Sequence, residues 1–369
     1  MIKRFMAILF LLGAAALLVA CGGGGRGEEK IILITDKGDI DDKSFNQGAY
    51  EGVIAFAKKE NIKYGYLKPA NAENADYIVA IEQAIADGAT VVVTPGYLFE
   101  GPINAVQGDY PDVKFIILDG NPANAENGKL EENVYSVFYA EEQAGFLAGY
   151  AAVKEGFTKL GFMGGMAVPA VQRFGHGYVQ GAAAAADELE LADDEITIDY
   201  LYTGDFAATP DVQSSAATLY QKGVEVIFAC GGAVGQSVMA AAKNATGDKY
   251  VIGVDVDQSA DSDTVITSST KELANSVIQA LEAIFKTEKW ETEYAGKSVI
   301  LDAKRDGVGL PMENSRFNTF TQDDYDAIYD KLVKGTQVVS ATIGEFGDDG
   351  TAAKQFETNR VKVTVIPFG

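Results

Sequence analysis

Short apolar runs alternate with amphipathic stretches along most of this chain. Runs rich in β-branched and aromatic residues fall at 30–35, 62–67, 90–94, 114–118 and 133–138, and again at 159–163, 196–202, 224–229, 250–254 and 264–267. Between the first two, Phe45, Gly48, Ala49, Gly52, Val53, Phe56 and Ala57 step by three and four, which predicts a helix with one apolar face. Ser44 with Gln47 three residues on predicts a capping box at its start, and the glycines are expected to let it lie close on a sheet. A late helix is predicted over 322–334, stopped by Gly335, while 302–311 and 344–350 read as loops. Strand–helix alternation of this kind gives parallel sheets with right-handed crossovers.

The pattern also repeats. Phe45-Asn46-Gln47-Gly48-Ala49-Tyr50-Glu51-Gly52 returns as Phe174-Gly175-His176-Gly177-Tyr178-Val179-Gln180-Gly181, each copy equally far behind an apolar strand. Two later pairs follow in the same order: Asp87-Gly88-Ala89 against Lys222-Gly223-Val224, and Lys114–Asp119 against Lys249–Asp255. Three echoes in one order predict two Rossmann-like α/β lobes of one topology, with a cleft between them. The expected division is 30–138 plus about 256–290 for the N-terminal lobe and 139–255 plus about 291–369 for the C-terminal lobe.

The first residues bear on location. Lys3 and Arg4 precede an apolar run over 5–20, short for a membrane span and shaped like a secretory signal. It ends Leu18-Val19-Ala20-Cys21, which resembles a bacterial lipobox, so 1–20 is expected to be removed and Cys21 lipidated at the head of a Gly-rich tether over 21–29. The implied location is the extracytoplasmic face of the cell membrane. Cys230 is the only other cysteine, so no disulfide framework is possible; it is expected in the core. A net charge of -23 argues against nucleic-acid partners. Arginine occurs only at Arg4, Arg26, Arg173, Arg305, Arg316 and Arg360, too sparse for a phosphate-gripping cluster.

In doubly wound sheets, ligands sit beyond the carboxyl ends of the strands. The residues found there are Asp36, Phe45 and Asn46 after the first run, Asp119 after the fourth, Phe206 after the seventh, Gly231 and Gly232 after the eighth, Asp255 after the ninth and Lys271 after the tenth. A carboxylate can accept two neighbouring hydroxyl donors, and an aromatic face stacks on a planar ring. Vicinal diol plus planar ring is the chemical outline of a nucleoside; on composition alone a sugar fits nearly as well.

Thr35-Asp36-Lys37-Gly38-Asp39-Ile40-Asp41-Asp42-Lys43-Ser44-Phe45-Asn46-Gln47-Gly48 resembles the opening signature of the basic membrane protein family, the PnrA-like lipid-anchored substrate-binding proteins of nucleoside ABC transporters. The similarity continues through Glu141–Gly149, Ile252–Gln258 and Val265–Ser268. It implies a type I periplasmic-binding architecture with several hinge crossings, no cofactor, a monomer, a purine nucleoside ligand and an ABC permease as partner. By the same resemblance, Phe45 and Phe206 would stack on the base, Asp36 and Asn46 would address its polar edge, and Asp119, Gly232, Asp255 and Lys271 would serve the ribose.

Enzyme readings find less support. The Asp36–Asp42 stretch resembles the calcium loop of nucleoside hydrolases, but Ile34 stands where that loop's first aspartate should be, and the spacing carries an extra residue. His176 is the only histidine, and no dinucleotide fingerprint, P-loop, H-E-x-x-H or C-x-x-C occurs. The alternatives of another class are a sugar-binding or sensory lipoprotein of the same fold.

Overall fold

The computed structural model describes residues 29–343 and 350–369; the leader, Cys21, the tether and nearly all of the expected 344–350 loop lie outside the described residues. The first lobe runs β1 (Lys30–Ile34), α1 (Phe45–Glu60), β2 (Lys63–Leu67), α2 (Asn74–Ala86), β3 (Val91–Pro95), α3 (Glu100–Val106), β4 (Lys114–Leu118) and β5 (Val134–Tyr139). The second follows as α4 (Glu141–Glu155), β6 (Lys159–Gly164), α5 (Pro169–Glu188), β7 (Ile196–Tyr202), α6 (Pro210–Gln221), β8 (Val226–Cys230), α7 (Val234–Asn244), β9 (Tyr250–Asp255) and β10 (Val265–Lys271). After these come α8 (Leu273–Phe285), β11 (Lys297–Leu301), β12 (Val308–Gly309), α9 (Gln322–Val333) and β13 (Val361–Val365).

The first sheet has the order β11-β5-β4-β3-β1-β2 and the second β12-β10-β9-β8-β6-β7-β13. Without β11 in the first sheet and β12 and β13 in the second, the two orders are the same, as the sequence echoes predict. Every pairing is parallel except that of β12 with β10. The central strands are apolar throughout and buried on both faces: Val91, Val92 and Val93 in β3, and Val226, Ile227 and Phe228 in β8, are completely enclosed.

The lobe boundary differs from the sequence expectation. β10 lies in the second sheet beside β9, and β11 lies in the first beside β5, so the chain crosses between lobes at Tyr139–Glu141, Lys271–Leu273 and Leu301–Val308. Sequence reading placed the later crossings earlier because β10 and its predecessors carry one apolar pattern, whereas β11 is an edge strand with alternate residues exposed and gives little signal. The stretch read as a loop over 302–311 holds a helical turn, Ala303–Arg305, and the short strand β12.

The repeated glycines have a different purpose from the one expected. They face helices, not a sheet. In the first lobe, a Cβ at Gly52 would lie 2.6 Å from the Ala274 carbonyl oxygen of α8. In the second, Cβ atoms at Gly177 and Gly181 would meet the Glu142 and Phe146 carbonyl oxygens of α4 at 2.0 and 1.9 Å. Gly145 and Gly149 of α4 accept the reciprocal approach of Phe174 and Tyr178. Thus α1 packs on α8 and α5 on α4 with backbones nearly touching, and both pairs lie over one continuous core.

The capping box predicted for Ser44 is replaced by a capping carboxylate. Asp42 accepts from the backbone N–H groups of Ser44, Asn46 and Gln47 at 2.9, 3.0 and 3.1 Å, which satisfies the orphan donors at the start of α1. Ser44 keeps its hydroxyl for the other lobe.

Candidate functional site

The carboxyl ends of the two sheets face one another across a cavity of about 490 Å³. Asp36, Phe45, Asn46, Asp119, Phe206, Gly232, Asp255 and Lys271 all line it, the first four from the first lobe and the others from the second. Phe174, the counterpart of Phe45 in the sequence repeat, is 1% exposed and also lines it.

On the first-lobe side, Asn46 fixes Asp36. Its amide donates to Asp36 Oδ1 at 2.9 Å and to Asp42 Oδ2 at 2.9 Å, while its oxygen accepts from the Asp36 backbone N–H at 3.2 Å. Gly38 N–H adds a further bond to Asp36 Oδ1 at 2.8 Å. Asn46 is 2% exposed with both ends of its amide engaged, so it holds Asp36 from behind. Burial raises the Asp36 carboxyl to about 6 despite those hydrogen bonds.

The floor is a charge cluster around Lys271, the last residue of β10. Its ammonium lies 2.6 Å from Asp119 Oδ2, 3.2 Å from Glu141 Oε1 and 3.6 Å from Asp255 Oδ1. The rings of Phe45, Phe174 and Tyr139 surround it at 4.8, 5.2 and 5.4 Å. Burial opposes the charge on Lys271, but Asp119, Glu141 and Asp255 together outweigh it and hold the lysine protonated. Asp119 is pushed up to about 7, by burial first and by Glu141, with Lys271 opposing. Its Oδ1 is buried and has no protein partner. Asp119 and Asp255 both adopt left-handed backbone, φ +55° and +67°, at the ends of β4 and β9.

Glu141 and Arg173 complete the cluster, and sequence reading missed both roles. Glu141 is the first residue of α4, where a carboxylate suits the helix start, but it is also fully buried. Arg173 Nε donates to Glu141 Oε2 at 2.6 Å. Burial pushes the Glu141 carboxyl up, yet Lys271 and Arg173 together hold it below its ordinary value. No local pattern could reveal this pair, because its members come from different helices.

Phe206 enters from the loop after β7. Its ring rests on glycines: a Cβ on Gly165 would lie 2.4 Å from it and one on Gly231 3.3 Å, while Gly232, which has φ +53°, lies beside the Phe206 Cβ and carbonyl oxygen. Asp205 caps the turn by accepting from the Phe206 and Ala207 N–H groups at 2.7 and 3.1 Å. The same Asp205 pairs with Lys37 across the cleft at 2.6 Å. Gln258 donates to the Lys43 carbonyl oxygen at 2.7 Å, and the Ser44 hydroxyl donates to Asp255 Oδ2. With Lys271 and Asp119, these bonds hold the two lobes closed on the cavity.

Of the aspartates resembling a calcium loop, Asp42 is bound to the start of α1 and Asp39 pairs with Lys68. His176 bonds the Thr342 carbonyl through Nδ1 at 2.9 Å and does not line the cavity.

Comparison with known proteins fixes the family. The model of the PnrA-like ABC transporter substrate-binding proteins matches residues 29–342. The chain belongs to this family. Basic membrane protein B of Borreliella burgdorferi is 32% identical over 291 residues, covering 77% of this chain and 81% of that protein. The ABC transporter nucleoside-binding protein BmpA of Lactococcus lactis subsp. cremoris is 30% identical over 307 residues, covering 78% and 82%. An ABC transporter solute-binding protein from Aeropyrum pernix shares the fold, with a TM-score of 0.72 at 21% identity over 85% of this chain and 93% of that one. This PnrA-like protein is therefore of a substrate-binding family, not a family of enzymes. Among the described residues, no helix is long and apolar enough to cross a membrane.

Proposed function

We propose that this protein captures a purine nucleoside between its lobes and delivers it to a membrane ABC transporter, held at the extracytoplasmic face of the membrane by lipid on Cys21. The observation that carries the ligand is the pairing of Asp119 and Asp255 about Lys271, with Asp119 Oδ1 buried and unpartnered. Such an oxygen calls for a hydroxyl donor, and two carboxylates from opposite lobes suit the vicinal hydroxyls of ribose. Phe45 and Phe206, one from each lobe, supply aromatic faces for a base, and Asp36 suits a donor on its edge. Because each lobe contributes part of the contacts, the ligand favours the closed state. The family and the nucleoside-binding Lactococcus relative support the same reading.

The cavity lining disfavours phosphate. Seven aspartates face three lysines there, and of those lysines Lys37 and Lys271 are already paired with carboxylates. Calorimetric titration with inosine, inosine 5′-monophosphate and ribose tests the proposal. Inosine is expected to bind at least about tenfold more tightly than the monophosphate, a difference of about 1.4 kcal/mol, and ribose poorly because it cannot stack. Equal affinity for the monophosphate, or tight binding of ribose, would overturn it.

A further inference from the structure

Two charged residues of the floor never reach the cavity. Glu141 is fully buried behind Lys271, and Arg173 lies behind Glu141, so the order is Arg173, Glu141, Lys271, then Asp119 and Asp255. Neither Glu141 nor Arg173 lines the cavity. Yet the cluster needs both. An ammonium at the end of a flexible stem, among three aromatic rings, could settle against either aspartate. Glu141, held by the Arg173 Nε bond, gives it a third fixed partner.

We propose that Glu141 and Arg173 are positioning residues for ligand binding: Glu141 fixes the Lys271 ammonium between the two aspartates, and Arg173 supplies the second cation that lets Asp119 remain an anionic acceptor. The inference rests on the cavity being a nucleoside site. Three carboxylates (Asp119, Glu141 and Asp255) face two cations, Lys271 and Arg173. Around Asp119, Lys271 of β10 and Arg173 of α5 favour its charge, Glu141 of α4 opposes it, Asp255 of β9 shares the Lys271 ammonium, and the Tyr139 phenol of β5 stays neutral beside it. Without Arg173, one cation would face three carboxylates, and Asp119 would take up a proton at higher pH. A protonated Asp119 loses the charge-assisted bond to a ligand hydroxyl. Removing the charge of Glu141 has the opposite electrostatic effect.

The experiment measures inosine affinity from pH 5.5 to 9 on the full chain, wild type and variants. Wild-type affinity is expected to fall as pH drops through about 7, the Asp119 value. Arg173→Met should move that fall upward by about one pH unit and Glu141→Gln should move it downward, while Arg173→Lys stays near wild type. Asp119→Asn should remove the pH dependence. A purely structural role would weaken binding equally at every pH. Profiles unmoved, or moved in the same direction by the two charge-removing variants, would overturn the inference; should Arg173→Met not fold, the downward move of Glu141→Gln decides it. Absence of inosine binding by the wild type at every pH would instead sink the nucleoside reading itself.

Discussion

Asp119 and Asp255 are counterparts across the cleft: each follows the apolar part of a central strand, each has left-handed backbone, and each faces Lys271, at 2.6 and 3.6 Å. Asparagine tolerates the left-handed conformation as well as aspartate does, so Asp255→Asn tests the charge with little backbone strain. Inosine binding is expected to weaken by about 1.5–3 kcal/mol. The penalty should shrink for the deoxynucleoside lacking the hydroxyl that Asp255 accepts. Calorimetry with inosine and its 2′- and 3′-deoxy analogues checks this; an equal penalty for all three would remove Asp255 from the ribose site.

Phe45 has a double role, as a cavity wall and as one of the rings around Lys271. Phe45→Ala should cost roughly 1–3 kcal/mol of nucleoside affinity, the value of one stacking contact. Thermal melting of the unliganded variant separates this from a folding defect, since Phe45 is only half-buried.

Gly181 should tolerate no side chain. Alanine favours helices by about 1 kcal/mol over glycine, so a free helix would gain from Gly181→Ala. Here the new Cβ would lie 1.9 Å from the Phe146 carbonyl oxygen, which belongs to backbone and cannot swing away. The variant is expected to be less stable by roughly 1–3 kcal/mol, read as a lowered denaturation midpoint.

Acid should help the empty protein at Asp36. Burial raises its carboxyl from 3.8 to about 6, so the folded state binds this proton more tightly than the unfolded state. Its contribution to stability is complete below 3.8 and is lost as pH rises through about 6. Asp36→Asn, which keeps an acceptor for Gly38, should therefore flatten the change of melting temperature across that window. An unchanged slope would contradict the assignment.

Cys21→Ala should abolish lipidation and membrane retention, because the sequence before Cys21 has the form of a lipobox. Metabolic labelling with an alkyne fatty acid reads this directly; label at the wild-type level on the variant would refute the anchor.

Much of the site was legible because its aspartates, Phe206 and Lys271 stand at the carboxyl ends of apolar strands, where the ligand crevice of such sheets lies. The repeated glycines announced two equivalent lobes, although what they touch could not be read, since α4 and α8 give no sign of which helix they will meet. Glu141 and Arg173 stayed hidden for a related reason: a buried ion pair between helices has no spacing signature. The aspartates over 39–42 read as a solvated, helix-capping loop; Asp42 does cap α1, but it is buried. The edge strands β11 and β13 were missed because half their residues face solvent, and with β11 went the true position of the last crossing.

The interlocked glycines of α4 and α5 bear on how firmly the cavity floor is held. Glu141 opens α4 immediately after the first crossing, and from there the two helices run with backbones in contact through Gly145, Gly149, Gly177 and Gly181. A joint of this kind has little slack, because backbone cannot yield as side chains do. Glu141 is therefore held by the seating of its helix as well as by its pairs with Lys271 and Arg173. Glu141 and Arg173, at the back of the cavity floor, are thus mounted on a two-helix block and not on a loop.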